Sequence, residues 1–128
     1  MTFETEEDKR RESKAIEKFI SIFNGSYQKL GQQDVDYKIF DQSKNLIAYA
    51  EVVGRIRSMK DAYPLPIPIN KLLKLHDKRL NPVVIWACDD GIIYGTVSNI
   101  IGSIQQNKAG ELMAYFDKQK KFKYVRYI

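Results

Sequence analysis

Hydrophobic and polar positions along the chain follow two periods, and the change from one to the other separates predicted helices from predicted strands. Helical spacing first appears after Thr5, in the apolar residues Ala15, Ile16, Phe19, Ile20 and Phe23. Thr5 and the three acids after it are typical of a helix start, and Gly25 ends this first helix. The same period predicts a second helix over residues 69–80, ended by Pro82, and a third helix over 107–119.

Alternating or short continuous apolar runs predict the strands. They cover residues 26–30, 35–41, 46–53, 82–88, 92–97 and 122–128. The turn residues 42–45 join the second and third runs into a β-hairpin, and the continuous run 82–88 is typical of a buried central strand. The prolines within 64–68 exclude that stretch from a helix interior or a central strand. No repeat or linker divides the pattern, so residues 1–128 are predicted to form a single domain.

Two acids of the predicted hairpin are candidates for chemistry. Counting back from the turn places Phe40 opposite Ile47, Lys38 opposite Tyr49 and Asp36 opposite Glu51. Like charges directly opposite each other are destabilising unless a cation neutralises them, so the pair predicts a divalent-metal site. The alternative is that both acids are ordinary solvent-facing residues that flank turns at the ends of their strands.

Composition narrows the chemistry of such a site. One Cys and one His exclude an internal disulfide and a Cys/His zinc site within one chain. Carboxylates remain as ligands and favour a hard cation, Mg²⁺ or Mn²⁺. The net charge of +5 favours a polyanionic partner. A polar N-terminus and the lack of an apolar run of roughly 20 residues predict a cytoplasmic protein with no secretory signal and no membrane segment.

The order of these elements resembles the αβββαβ core of the PD-(D/E)XK nuclease superfamily, over about residues 5–97. The resemblance is carried by Val35-Asp36 and by the strand that ends in Glu51-Val52-Val53-Gly54-Arg55. It implies a restriction-endonuclease-like α/β fold, with a mixed central sheet flanked by helices, and a metal-dependent nuclease acting on DNA. It also implies Asp36, Glu51 and the Val52 carbonyl as metal ligands, Glu12 as an outer acid, and a homodimer.

Val53 stands where the family pattern has a catalytic lysine. One interpretation is that the lysine has moved, to Lys38 on the same predicted face or to Lys71 on the second helix. A second is a metal site that cuts poorly. A third is a catalytically inactive relative that binds nucleic acid or a protein partner. The small size also suits a phage or mobile-element protein, including a toxin–antitoxin or accessory protein with a protein target.

Basic residues near the predicted site are candidates for phosphate contacts. Arg55, Arg57 and Lys60 follow the strand of Glu51, and Lys71 and Lys74 lie on the second helix. Arginines and lysines that neutralise phosphates give salt-sensitive, sequence-independent affinity for nucleic acid. The alternative for each group is an ordinary solvated surface. The C-terminal lysines, interleaved with aromatic residues, form a further basic group with the same two interpretations.

Overall fold

The computed structural model of the chain describes residues 5–31, 34–78 and 80–128. Within them the chain forms two helices and nine strands: α1 Glu6–Ser21, β1 Ser26–Lys29, β2 Tyr37–Phe40, β3 Leu46–Gly54, β4 Leu65–Pro68, α2 Ile69–His76, β5 Pro82–Ala87, β6 Gly91–Thr96, β7 Ser103–Gln106, β8 Leu112–Phe116 and β9 Lys123–Arg126. Neither described helix has the length and apolar content needed to cross a membrane.

Six strands form the main sheet, in the order β1-β2-β3-β5-β6-β9. All neighbours are antiparallel except β3 and β5, which are parallel. The sheet is therefore mixed, and the predicted α/β class is confirmed at that level. Because parallel neighbours need a long crossover, the segment between β3 and β5 carries α2.

The first helix begins where the sequence predicts. Thr5 accepts a hydrogen bond from the Asp8 N–H at 3.0 Å, and the Asp8 side chain accepts one from the Thr5 N–H at 3.1 Å. This reciprocal capping box satisfies two donors of the first turn. One face of α1, with Ala15, Ile16 and Phe19 buried, packs against the main sheet.

The predicted helix over 107–119 is wrong, because that stretch belongs to a β-hairpin. A turn after β7 is closed by the Asn107 side chain, whose Oδ1 accepts hydrogen bonds from the N–H groups of Ala109 (3.0 Å) and Glu111 (2.9 Å). Gly110 has a φ of 84°, a conformation that suits glycine and interrupts any helix. β8 then alternates, with Ala114 buried, and forms a second sheet in the order β4-β8-β7.

The second predicted helix is shorter than expected. α2 ends at His76 rather than near Leu80, and Leu80 is 37% exposed. Asn81, with a φ of 42°, redirects the backbone into β5. The proline-containing stretch forms β4 at an edge of the second sheet, as its exclusion from central strands requires.

The main sheet is covered on both faces. One face packs on α1, and the other packs on α2 and the second sheet. Trp86 joins the two sheets, because its side chain is fully buried and its Nε1 donates to the Pro66 carbonyl at 2.7 Å. Since side chains alternate along a strand, the odd-numbered residues of β3 from Tyr49 onward, Glu51 among them, face α2, and Ala48, Ala50 and Val52 face α1.

Candidate metal centre and nucleic-acid interface

The β2–β3 hairpin brings together the two acids that the sequence places opposite each other. Tyr37 pairs with Ala50 at the end of the ladder, immediately before Asp36 and Glu51. One oxygen of the Asp36 carboxylate accepts a hydrogen bond from the Val52 N–H at 2.8 Å. The Asp36 side chain therefore continues the ladder by one bond beyond the last backbone pair, and this bond holds it beside Glu51.

The predicted register holds at this end of the hairpin and fails at the other. Lys38 pairs with Tyr49, as predicted, but Phe40 pairs with Leu46 and not with Ile47. A register shift near the turn causes the difference, and it leaves the pairing next to the two acids unchanged.

Glu51 is the one charged residue that is buried in the described part of the chain. It is 2% exposed, and β3 lies between β2 and β5 in the main sheet. Its Oε2 atom has no hydrogen-bond partner. A carboxylate in that position is costly unless it is neutralised, so the site calls for a proton or a cation.

The electrostatics of the pair follow from this burial. Burial, together with the charge of the nearby Asp36 carboxylate and a side-chain hydrogen bond with it, raises the pKa of Glu51 to about 8. The Lys71 ammonium opposes the rise. Without a cation, Glu51 therefore holds a proton near neutral pH, and a bound cation would have to displace it.

The two candidate replacement lysines act on different acids. The Lys71 charge opposes the rise that burial causes in the pKa of Glu51. The pKa of Asp34 is lowered mainly by its hydrogen bond with Lys78, and the Lys38 charge adds to that lowering. Val53, at the family's lysine position, is partly buried and packs against the core on the α2 side. Lys71, delivered by α2, is thus the candidate lysine whose charge reaches Glu51.

Glu12 is not brought to the acid pair. It lies on α1, which covers the other face of the sheet, and its carboxylate accepts a hydrogen bond from the Lys29 ammonium at 2.7 Å. Val52 also packs its side chain on the α1 side. Because the N–H and C=O of one strand residue point to the same edge, the Val52 carbonyl lies on the edge that its N–H shares with Asp36.

The donor set decides which cation the site suits. No group of three or more His, Cys, Asp or Glu side chains arranged for a metal exists among residues 5–31, 34–78 and 80–128. Asp36 and Glu51 offer two carboxylates, with the Val52 carbonyl on the same strand edge. Mg²⁺ in phosphate-processing sites is commonly bound by one or two carboxylates together with substrate phosphate oxygens and water. These donors therefore fit Mg²⁺ or Mn²⁺ that is held partly by a substrate.

The basic residues after β3 have unequal roles. Arg55 is partly buried, and its Nε donates to the Ala62 carbonyl at 2.9 Å, so this side chain braces the loop between β3 and β4. Arg57, Lys60 and Lys71 are exposed, and Lys74 is half-buried. The exposed three are available for phosphate contacts.

A second group of polar side chains meets where the sequence gives no signal. Arg11 of α1 donates to Asp89, after β5, at 2.9 Å, and Tyr127 lies beside them near the end of the chain. These residues are far apart in sequence and match no motif, so only the packing of α1 on the sheet brings them together.

Replacing Glu51 with glutamine is expected to stabilise the metal-free protein at pH 8, by up to about 4 kcal/mol. The raised pKa, about 8 against an ordinary 4.5, means that wild-type stability falls as pH rises through this interval and then levels. Glutamine does not titrate, so the difference should be small at pH 4.5. Urea unfolding in EDTA at both pH values measures it, with Glu17→Gln on the exposed face of α1 as the control. A destabilised Glu51→Gln protein at pH 8 would contradict the prediction.

No family model, curated protein or solved structure matches this chain. Its function is therefore inferred from the geometry of its own residues.

Proposed function

We propose that the protein is a divalent-metal-dependent nuclease that hydrolyses DNA phosphodiester bonds. The observation that carries the proposal is the buried Glu51 carboxylate, with an unpartnered Oε2, beside Asp36. Burying one carboxylate of a central strand beside another destabilises the fold at this position. A bound cation would neutralise the two carboxylates and offset this cost, which explains why both acids are present.

The arrangement of elements supports a restriction-endonuclease-like fold. α1, three antiparallel strands, α2 and β5 follow in the order that the PD-(D/E)XK resemblance implies, with β4 inserted before α2. β5 runs parallel to β3, and the helices lie on opposite faces of the sheet. The candidate ligands lie on the central strand β3 and immediately before β2.

Each residue has a separate task in the proposed reaction. Asp36, Glu51 and the Val52 carbonyl would hold Mg²⁺ or Mn²⁺, which polarises a phosphoryl oxygen and lowers the pKa of bound water. Lys71 supplies the positive charge that Val53 lacks and stabilises negative charge developing on the phosphate. The exposed Arg57 and Lys60 contact neighbouring phosphates of the DNA backbone.

An inactive binding protein of the same fold is the second candidate. It is favoured by Val53, whose apolar side chain packs on the core where the family pattern has a lysine. Such a protein would bind DNA in a salt-sensitive way, or would bind a protein partner, and would cut nothing in the presence of any cation.

Lys71→Gln is expected to lower the rate of metal-dependent nicking by about tenfold to a hundredfold. Supercoiled plasmid is the substrate, because one broken bond changes its mobility, and Mn²⁺, Mg²⁺ and EDTA are compared. Lys74→Gln, one turn along α2, removes the same charge and should change the rate less than about threefold. Equal losses in both variants would show that α2 only attracts DNA. No nicking by the wild type with either cation, together with DNA binding that weakens with salt, would favour the inactive binding protein.

A further inference from the structure

A cavity of about 260 Å³ lies on the α1 side of the main sheet, away from the face that carries Glu51. It is bounded by α1, the turn after β5 and the C-terminal residues. Its wall is mostly charged and polar: Glu7, Arg10, Arg11, Lys14, Cys88, Asp89 and Tyr127. The sheet separates this cavity from the acid pair, so one small ligand cannot contact both.

The guanidinium of Arg11 is held in place by one hydrogen bond, and another of its N–H donors has no acceptor. Its Nη1 donates to Asp89 at 2.9 Å, and its side chain is only 19% exposed. Its Nε–H is buried and has no acceptor. An arginine fixed at one nitrogen keeps the rest of its planar donor fork oriented for an oxyanion.

The hydroxyl of Tyr127 is a second donor without an acceptor at the same cavity. It is buried and makes no hydrogen bond. Burial raises the pKa of Tyr127 to about 12, so the group remains an O–H donor at neutral pH. Most buried polar groups in proteins are paired, so two unpaired donors at one cavity indicate a missing acceptor.

The charge around these donors is positive. Lys14 places its ammonium 4.3 Å from the centre of the Tyr127 ring, and Arg10 adds a further cation. Of the acids near these donors, Asp89 is paired with Arg11, and Asp90, whose charge also reaches Tyr127, is paired with Arg126 at 3.8 Å. Glu7 is the further acid in the cavity wall.

Two further features limit what the cavity does. Cys88 is 1% exposed, and burial raises the pKa of its thiol to about 12, so it supplies no thiolate for covalent chemistry. The volume lies below the range of roughly 300–1,000 Å³ typical of sites for larger organic ligands. A compact anion suits this space better than a whole nucleotide.

We propose that this cavity binds a phosphate group, with Arg11 and Tyr127 as hydrogen-bond donors and Arg10 and Lys14 as charge partners. Both donor atoms are covered in the ligand-free structure, so phosphate binding requires the side chains that cover them to move aside while Arg11 stays paired with Asp89. The proposal goes beyond the nuclease function, because this site needs neither the metal nor cleavage.

Calorimetric titration in EDTA and phosphate-free buffer tests the site. The titrants are orthophosphate, a 5′-deoxynucleoside monophosphate, and one oligonucleotide with and without a 5′-phosphate. Saturable one-to-one binding is expected, and Tyr127→Phe should raise Kd about fivefold to tenfold through the loss of one hydrogen bond. Lys18→Gln, one turn beyond Lys14 on α1, should change Kd less than about twofold.

The titrants also identify the source of the phosphate. Preference for the 5′-phosphorylated oligonucleotide over the other titrants indicates the end of a nucleic-acid strand, and comparable binding of orthophosphate and mononucleotide indicates a free small phosphate. Absence of saturable binding for all titrants overturns the proposal, as does a Tyr127→Phe protein that binds like the wild type. Circular dichroism checks the fold of this variant, and Arg10→Gln, at an exposed position, provides an independent test. Failure of plasmid nicking would leave these results unaffected.

Discussion

Glu51→Gln is expected to reduce metal-dependent plasmid cleavage at least about 1,000-fold. Glutamine keeps the shape of the side chain but lacks the charge that holds a divalent cation, so the variant loses the metal together with the polarised phosphate. Initial nicking rates in Mn²⁺ and in Mg²⁺ measure the effect. Glu17→Gln removes the same charge from the exposed face of α1 and should cut like the wild type.

Measuring the Tm at increasing Mn²⁺ concentration separates loss of metal binding from loss of the fold. Mn²⁺ should raise the Tm of the wild type, because a ligand that binds only the folded state stabilises it. The Tm of Glu51→Gln should not respond, although this variant starts from a higher stability in EDTA at pH 8. Cleavage that survives in Glu51→Gln would exclude Glu51 as a metal ligand, and the buried pair would then need another explanation.

Trp86→Ala is expected to destabilise the protein by about 4 kcal/mol. The side chain is fully buried and meets Phe116 and Phe122 edge to face, with ring centroids at 5.8 and 5.6 Å. Alanine removes these contacts, leaves a cavity between the two sheets, and deprives the Pro66 carbonyl of its donor. Because Trp86 is the only tryptophan, unfolding in urea should be followed by circular dichroism.

The control for this prediction is Ile104→Ala on β7. Ile104 is 68% exposed, so its truncation should cost less than about 0.5 kcal/mol. A loss below about 1 kcal/mol for Trp86→Ala would contradict the role of this residue between the sheets. The substitution also removes the hydrogen bond from Trp86 to Pro66 of β4, the strand that leads directly into α2 and Lys71.

Local chemistry made several parts of the fold predictable. Thr5 and Asp8 cap α1 through contacts three residues apart, and the two acids of the candidate site lie on strands joined by a short hairpin. For such features the interacting groups are close in sequence, so spacing alone predicts the contact. The continuous apolar run that became β5 was equally clear, because a strand covered on both faces needs apolar residues throughout.

Local pattern was misleading where a turn interrupted it. Apolar residues after Asn107 have a spacing compatible with a helix, but the Asn107 side chain and Gly110 close a tight turn instead. β8 then pairs with β4, almost fifty residues earlier in the chain. Strand pairing at such a distance stabilises this segment more than its intrinsic helix preference does. A prediction from neighbouring residues alone does not include the distant partner strand.

By itself, the sequence determined the α/β class, the capped first helix, the central strand and the pairing of Asp36 with Glu51. Each depends on periodicity or on contacts within one hairpin. Only the tertiary structure decided that the charge of Lys71 on α2 acts on Glu51, that Glu12 lies on the other face of the sheet, and that Arg11 and Tyr127 line one cavity. Those relations depend on which face of the sheet each helix covers, and helix placement follows from burial of apolar surface summed over the whole chain.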